Sequence, residues 1–257
     1  MIETSAPGGF RLRRYDNVGS TSDICIRLAA EGDAADIAVL SAEQSAGRGS
    51  NGRRWESAAG NLFLSVLLRP RAKITAAGGY SLLAGLVLVE ALEEFVRAPG
   101  AFSLKWPNDV LLMGAKVAGV LVETAASAAG ELAWLVIGFG ANLAVAPVIA
   151  GRAAACLADT GMAAPEPLSA ANALLARLAY WRRIEAARGF APVRAAWLAR
   201  AHPSGTPLTV VAADGEHHGR FAGLDADGAL LLATQSGIAR WIAGEVRFTA
   251  GAAPCCS

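Results

Sequence analysis

FSLKWPNDVLLMGAKVAGVLVET, residues 102–124, decides how this chain folds. Three apolar runs of strand length follow one another there: Phe102 to Trp106, Val110 to Met113 and Val117 to Thr124. The breaks between them are too short for helices. Gly114-Ala115 reads as the turn of a hairpin joining the last two runs, and Pro107 holds the chain extended before Asn108. Strands in close order, with helices grouped elsewhere, predict an α+β fold in which helices cover one face of a sheet.

The flanking sequence fills in that plan. Upstream, Leu62 to Leu68 is a continuous apolar strand ended by Arg69-Pro70. Thr75 caps a long helix whose leucines and valines between Leu82 and Val96 recur at helical spacing, until Pro99-Gly100 stops it. Nearer the start, Phe10, Leu12 and Tyr15 begin an extended segment. Gly19-Ser20-Thr21-Ser22-Asp23 then opens a helix with hydroxyl caps, and Gly32 ends it. Ile37 to Leu40 is a short strand. Downstream, Ala133 to Ile137 makes another strand, and Pro165 to Arg188 and Pro192 to Ala201 read as helices, the first ended by Gly189. Beyond His202-Pro203 five short strands are separated by Asp214-Gly215, Asp227-Gly228, Ser236-Gly237 and Gly244, the texture of a small barrel. The expected division is a large domain over residues 1–202 and a small one over residues 203–257.

Composition narrows the function. Hydrophobic residues make up 54% of the 257 and charged ones 18%, so the chain buries a sizeable core. A formal net charge of +1 removes any global attraction to a polyanion, which disfavours nucleic acid as a partner. Cys25, Cys156, Cys255 and Cys256 show no C-x-x-C spacing, which argues against zinc and against a disulfide framework, and points to a reducing cytoplasm. The first nine residues lack a signal-peptide pattern. The apolar run Leu132 to Ala150 is interrupted by Gly138, Gly140, Asn142 and Pro147, so it is read as a buried strand and a turn, with no membrane span.

The chemistry concentrates in a few loops. Ser41 to Trp55, SAEQSAGRGSNGRRW, spaces three glycines among three arginines. Glycine lets backbone N–H groups approach an anion, and arginine supplies forked donors that match phosphate or carboxylate, so the loop reads as an anion clamp. Lys105-Trp106-Pro107-Asn108-Asp109 sets a lysine, an amide and a carboxylate around a proline. Lys116 precedes an apolar strand. Gly138-Phe139-Gly140-Ala141-Asn142 ends a buried strand with glycines that permit close approach of a ligand. His217 and His218 are adjacent on one strand, point to opposite faces and cannot easily share a metal. No Gly-x-Ser-x-Gly elbow is present. What remains is positioning and charge stabilisation by cations, which suits transfer at phosphorus.

Taken in order and spacing, Gly47-Arg48-Gly49-x-x-Gly52-Arg53-x-Trp55, Lys105-Trp106-Pro107-Asn108-Asp109, Lys116-Val117-Ala118-Gly119 and Gly138-x-Gly140-x-Asn142 resemble the biotin–protein ligases. Ser20-Thr21-Ser22-Asp23 and Gly237-Ile238-Ala239-Arg240-Trp241-x-x-Gly244-Glu245 extend the resemblance over nearly the whole chain. It implies a mixed sheet flanked by helices, the biotin–lipoate ligase fold shared with class II aminoacyl-tRNA synthetases, with a small C-terminal SH3-like barrel. It further implies adenylation of biotin by ATP with Mg²⁺, then transfer to a lysine of a biotin carboxyl carrier domain. By that resemblance Ser20, Thr21, Ser22, Gln44, Gly47 and Gly119 hold biotin, and Arg48, Arg53 and Lys116 neutralise its carboxylate and the phosphates. Trp55, Asn108 and Asn142 lie on the nucleotide side, and Asp109 serves the acceptor-lysine step. No protein residue is assigned as a direct metal ligand, since Mg²⁺ arrives on the phosphates.

Two departures stand out. Family members that double as repressors carry an N-terminal winged helix, and with the first motif already at Ser20 none is expected here. Many relatives also have arginine where this chain has Ser50, which cannot supply a bidentate contact to phosphate, so looser retention of the adenylate is expected. Relatives can pair through sheet edges, and a homodimer is compatible with the resemblance. The residues leave open a lipoate or octanoate ligase on the same scaffold, or a non-catalytic biotin-binding protein.

Overall fold

The β2–α1–β3 unit frames the first sheet. β1 (Ile2–Ser5) lies antiparallel on β2 (Arg11–Val18), α1 (Thr21–Ala30) crosses over, and β3 (Ile37–Gln44) returns parallel to β2. Parallel neighbours need such a crossover, and among the described strands of this sheet every other pairing is antiparallel. β4 (Leu62–Leu68) then pairs antiparallel with β3, and α2 (Ala77–Glu93) leads to β5 (Phe102–Lys105), β6 (Asp109–Leu112), β7 (Ala115–Ala126) and β8 (Leu132–Ala141). The resulting eight-stranded order is β1-β2-β3-β4-β8-β7-β6-β5, so β8 closes back onto β4. This computed structural model describes residues 1–33 and 36–248. Cys255 and Cys256 lie outside the described residues.

Helices cover both faces of the sheet, and the expectation of one covered face is corrected. The cause is the strict alternation of apolar side chains along β3 and β4. Ile37, Val39 and Leu67 pack against Cys25, Leu28 and Ala29 of α1. Ala38, Leu40, Leu62, Leu64, Val66 and Leu68 join the core formed with α2, α3 (Pro167–Arg188) and α4 (Ala191–Leu198) on the other side. Runs that are apolar on both faces, Ile37 to Leu40 and Leu62 to Leu68 with Ser65 the one interruption, thus need two partners. The segment Ile74–Glu93 is long and apolar enough to cross a membrane by length and composition. Here it is a core helix whose residues from Leu82 to Val89 are all buried.

Local readings shift in informative ways. The β6–β7 hairpin turns at Met113-Gly114, one residue earlier than expected, with φ of 48° and 83°. Both angles are positive, as a two-residue turn matched to strand twist requires. Pro107 sits in a turn with a cis Trp106–Pro107 bond, not in an extended segment, and Lys105 therefore pairs across from Asp109. Thr75 falls in a short 3-10 turn, Ile74–Ala76, ahead of α2, and makes no side-chain cap. The hydroxyl cap expected for α1 is also missing: Ser20 stands at the N-cap without a side-chain cap bond, and the Thr21 and Ser22 hydroxyls meet Ser65.

The second sheet comprises β9 (Pro207–Ala212), β10 (Gly215–Leu224), β11 (Leu230–Thr234), β12 (Gly237–Trp241) and β13 (Glu245–Phe248), all antiparallel, in the order β12-β11-β10-β9-β13. It is tied to the first by specific contacts. Trp106 Nε1 donates to Gly228 O at 3.2 Å, and the Arg194 guanidinium donates twice to Leu224 O, at 2.6 and 3.0 Å. As expected, His217 and His218 diverge: one meets Asp214, the other Thr209.

His202 at the junction is 5% exposed and stacks on Phe221 at 4.2 Å. Burial and the nearby Lys105 ammonium push its pKa down to about 4. The unfolded chain therefore binds a proton near pH 6.5 that the folded one refuses until about pH 4. Stability is full above 6.5 and falls as pH drops through that window, by about 3 kcal/mol at the lower end. His202→Phe is expected to flatten this part of the stability–pH curve, measured from urea midpoints between pH 7 and pH 4.

Candidate active site

The sheet brings four of the chemistry-bearing stretches to one end. The turn after β5, the end of β8, the start of α1 and the arginine loop after β3 meet above β7. They border a cleft of about 2410 Å³ lined by residues of both sheets, with a small recess of about 50 Å³ beneath the loop. The cavity has room for one or two waters.

Polar groups line the cavity in a connected array. Gln44 Oε1 accepts from the Thr21 backbone N–H at 2.8 Å and from the Thr21 hydroxyl at 3.1 Å, while its amide nitrogen donates to Ser57 Oγ at 3.2 Å. Ser65, fully buried in β4, lies 2.7 Å from Thr21 Oγ1 and 3.0 Å from Ser22 Oγ. Ser57 and Ser65 were not singled out from sequence. A serine inside the apolar run Leu62–Leu68 was the available signal, since a buried hydroxyl needs a partner.

Cations stand at the cavity mouth, and each already has an anion. Arg48 makes a bidentate pair with Glu123, both contacts 2.8 Å, and reaches Asp23 at 2.8 Å. Lys116 bonds Asp109 Oδ1, and Lys105 approaches Asp109 Oδ2 at 3.4 Å. Burial raises the Asp109 carboxyl, but the two ammonium groups and their hydrogen bonds outweigh it and hold its pKa below the ordinary range. Arg53 pairs at 3.0 Å with Glu245 of β13, which also holds Arg152 at 2.9 Å. Arg48 and Arg53 of the anion clamp read from sequence, and Lys116, are thus each held by a carboxylate, Glu123, Glu245 and Asp109 in turn. These carboxylates come from distant strands, so the loop's own sequence could not reveal them.

The glycines of β8 do permit close approach, and it is side chains of the chain itself that approach. A Cβ on Gly140 would sit 2.5 Å from the Trp55 ring, and one on Gly138 would sit 2.8 Å from Ser22 Oγ. Lys116 Nζ lies 5.6 Å from the centre of the Trp55 ring, within cation–π range. Gly47 is likewise crowded, with Trp55 O and Ser57 Oγ each 2.7 Å from a Cβ there. Gly119 meets the Lys116 ammonium at 3.2 Å in the same sense. Asn108 donates to Val120 O at 2.6 Å, and buried Asn142 donates to Ala155 O at 3.0 Å, so both amides brace the frame around the cleft. Asn61, absent from the sequence reading, accepts three backbone N–H bonds from residues Leu143, Ala144 and Val145 and fixes the start of the next loop. Among the described residues no group of three His, Cys, Asp or Glu side chains is placed to hold a metal ion.

This combination, a buried hydroxyl and amide cavity opening past paired cations into a large cleft, defines a ligand-activating class of site. Residues 26–142 match the biotin/lipoate A/B protein ligase family and residues 204–248 match the biotin protein ligase C-terminal domain. The biotin–[acetyl-CoA-carboxylase] ligase of Paracoccus denitrificans is 40% identical over 216 residues, 82% of this chain and 89% of that protein. The bifunctional ligase/repressor of Escherichia coli is 33% identical over 81% of this chain, which spans 65% of that protein's length. The biotin protein ligase of Aquifex aeolicus, solved in complex with biotin and ATP, superposes with a TM-score of 0.79 at 27% identity, covering 93% of this chain and 99% of that one. The chain belongs to the biotin protein ligase family.

Asp109→Asn removes the carboxylate that two ammonium groups share. A loss of about 1–3 kcal/mol in folding free energy is expected at pH 7, read from the urea midpoint. An unchanged midpoint would show that the triad is solvated and not structural.

Proposed function

We propose that this chain activates biotin with ATP to biotinyl-5′-adenylate and passes the biotinyl group to a lysine of a biotin carboxyl carrier domain. The observation that carries the reading is the hydroxyl cavity with Arg48 and Lys116 at its mouth, in a chain 40% identical to a biotin–[acetyl-CoA-carboxylase] ligase. Ser20, Thr21, Ser22 and Gln44 bind the fused rings, with the backbone at Gly47 and Gly119 closing over them. Admission of the rings displaces Trp55 and Arg48 from their present contacts. A biotin carboxylate oxygen then attacks the α-phosphorus and pyrophosphate leaves. Arg48, Arg53 and Lys116 exchange their carboxylate partners for the charge that develops there. Trp55, Asn108 and Asn142 border the nucleotide. In the second step the acceptor amine attacks the mixed-anhydride carbonyl and AMP leaves. Asp109, ionised throughout the neutral range, accepts a hydrogen bond from that amine.

Mg²⁺ supplies neutralisation of the triphosphate when bound. The donor set fits a metal carried by the nucleotide: the amides of Asn108 and Asn142 would lie near it, and among the described residues no cluster of carboxylates is placed to hold it alone. We assign residues 1–202 to the catalytic unit and the remainder to the SH3-like unit, in a cytoplasmic protein.

ATP-dependent transfer of biotin to a carrier domain tests the reading. Lys116→Ala is expected to lower the adenylation rate about 100- to 1,000-fold. Thermal stabilisation by biotin and not by lipoate separates this function from the lipoate ligase alternative, and binding without adenylation would mark a sensor. Ser50 presently accepts a bond from Arg53 at 3.3 Å. Ser50→Arg is expected to slow release of the adenylate, measured by chase with unlabelled biotin. Unchanged release would show that this position does not set retention.

A further inference from the structure

The hydroxyls beneath the arginine loop form a chain whose direction can be worked out. The Thr21 backbone N–H must donate, so the Gln44 atom facing it at 2.8 Å is the carbonyl oxygen. That oxygen is also 3.1 Å from Thr21 Oγ1, and two acceptors at that distance would repel, so the Thr21 hydroxyl donates to Gln44. Its one proton spent, Thr21 Oγ1 must accept from Ser65 at 2.7 Å. Ser65 in turn has spent its proton, so the 3.0 Å contact with Ser22 is donated by Ser22. The order is Ser22 to Ser65 to Thr21 to Gln44, with every hydroxyl proton committed.

We infer that Ser65 is a positioning residue that locks this direction, leaving Ser22 Oγ an acceptor and making the cavity selective for a ring that donates N–H. Both ends of the relay are held. The far end is pinned by a backbone N–H on Gln44 and by the Gln44 amide on Ser57. The near end lies against Gly138, where a Cβ would come within 2.8 Å of Ser22 Oγ, so the bare glycine gives that oxygen its place in the cavity wall. Ser65 is fully buried, so water cannot substitute for it in the relay. A cyclic urea offers two N–H donors and matches this polarity. A dithiolane ring or a plain acyl chain offers none and leaves the Ser22 lone pairs buried and unpaired. The inference rests on the proposed biotin function and adds the element that separates biotin from lipoate on a shared scaffold.

The test compares dissociation constants, by calorimetry without ATP, for biotin and for two analogues methylated at one or the other ureido nitrogen. In the wild-type chain at least one analogue is expected to bind about ten- to a hundredfold more weakly than biotin. In Ser65→Ala the Ser22 hydroxyl is free to rotate and donate, so that ratio should shrink several-fold, beyond any general loss of affinity. Ser65→Cys, of similar size and a weaker donor, should fall between, and it carries the comparison if the alanine variant does not fold. A ratio unchanged in the variants, or analogues that bind the wild type as well as biotin does, overturns the relay and leaves the ligase reading intact. A wild-type chain that binds no biotin overturns both.

Discussion

The parallel pairing of β2 with β3 is the constraint on which the rest depends. A parallel pair cannot be closed by a tight turn, so α1 has to cross the sheet, and it crosses on the face opposite α2, α3 and α4. Its first turn is thereby delivered to the end of β3 and the middle of β4. Thr21 and Ser22 meet Gln44 and Ser65 there, four residues from three elements that share no local sequence. Their hydroxyls are given to the cavity, and the N-cap residue Ser20 makes no side-chain cap bond to α1.

Charge at the site obeys a second economy. Every cation that the chemistry calls on is already neutralised by a carboxylate from another strand or from the second sheet. Arg48 rests on Glu123 and Asp23, Lys116 on Asp109, and Arg53 on Glu245. Bare cations this close together would repel one another; paired, each is neutralised where it stands. The second sheet participates through Glu245, which grips both Arg53 and Arg152, so the barrel is part of the cleft's electrostatics and not a passive appendage.

Much of this was legible in order. The strand Leu62–Leu68, the β6–β7 hairpin and the five short C-terminal strands all follow from period and turn chemistry. The family resemblance followed from motif spacing. Less legible was anything that depends on which side a continuous apolar strand faces. Ile37, Val39 and Leu67 look like their neighbours in sequence, and only the crossover of α1 separates them into two cores. The tight turn at Trp106-Pro107 was hidden for a related reason: a proline is compatible with both extension and a turn, and the pairing of Lys105 with Asp109 decides between them.

By itself the sequence determined that this is an apolar α+β chain with a small β-rich end and a set of arginine, lysine, amide and glycine motifs suited to holding an anion and to transfer at phosphorus. Residue types and their spacing carry that, because periodicity and side-chain chemistry are local properties. The tertiary structure alone decided the partners: which carboxylate holds each cation, that Trp55 and Ser22 fill the space left by Gly140 and Gly138, and that Ser65 joins two hydroxyls into one directed relay. Those are contacts between residues tens of positions apart, and short-range contact geometry across strands, not spacing along the chain, sets a hydrogen bond's direction and an ion pair's choice of partner.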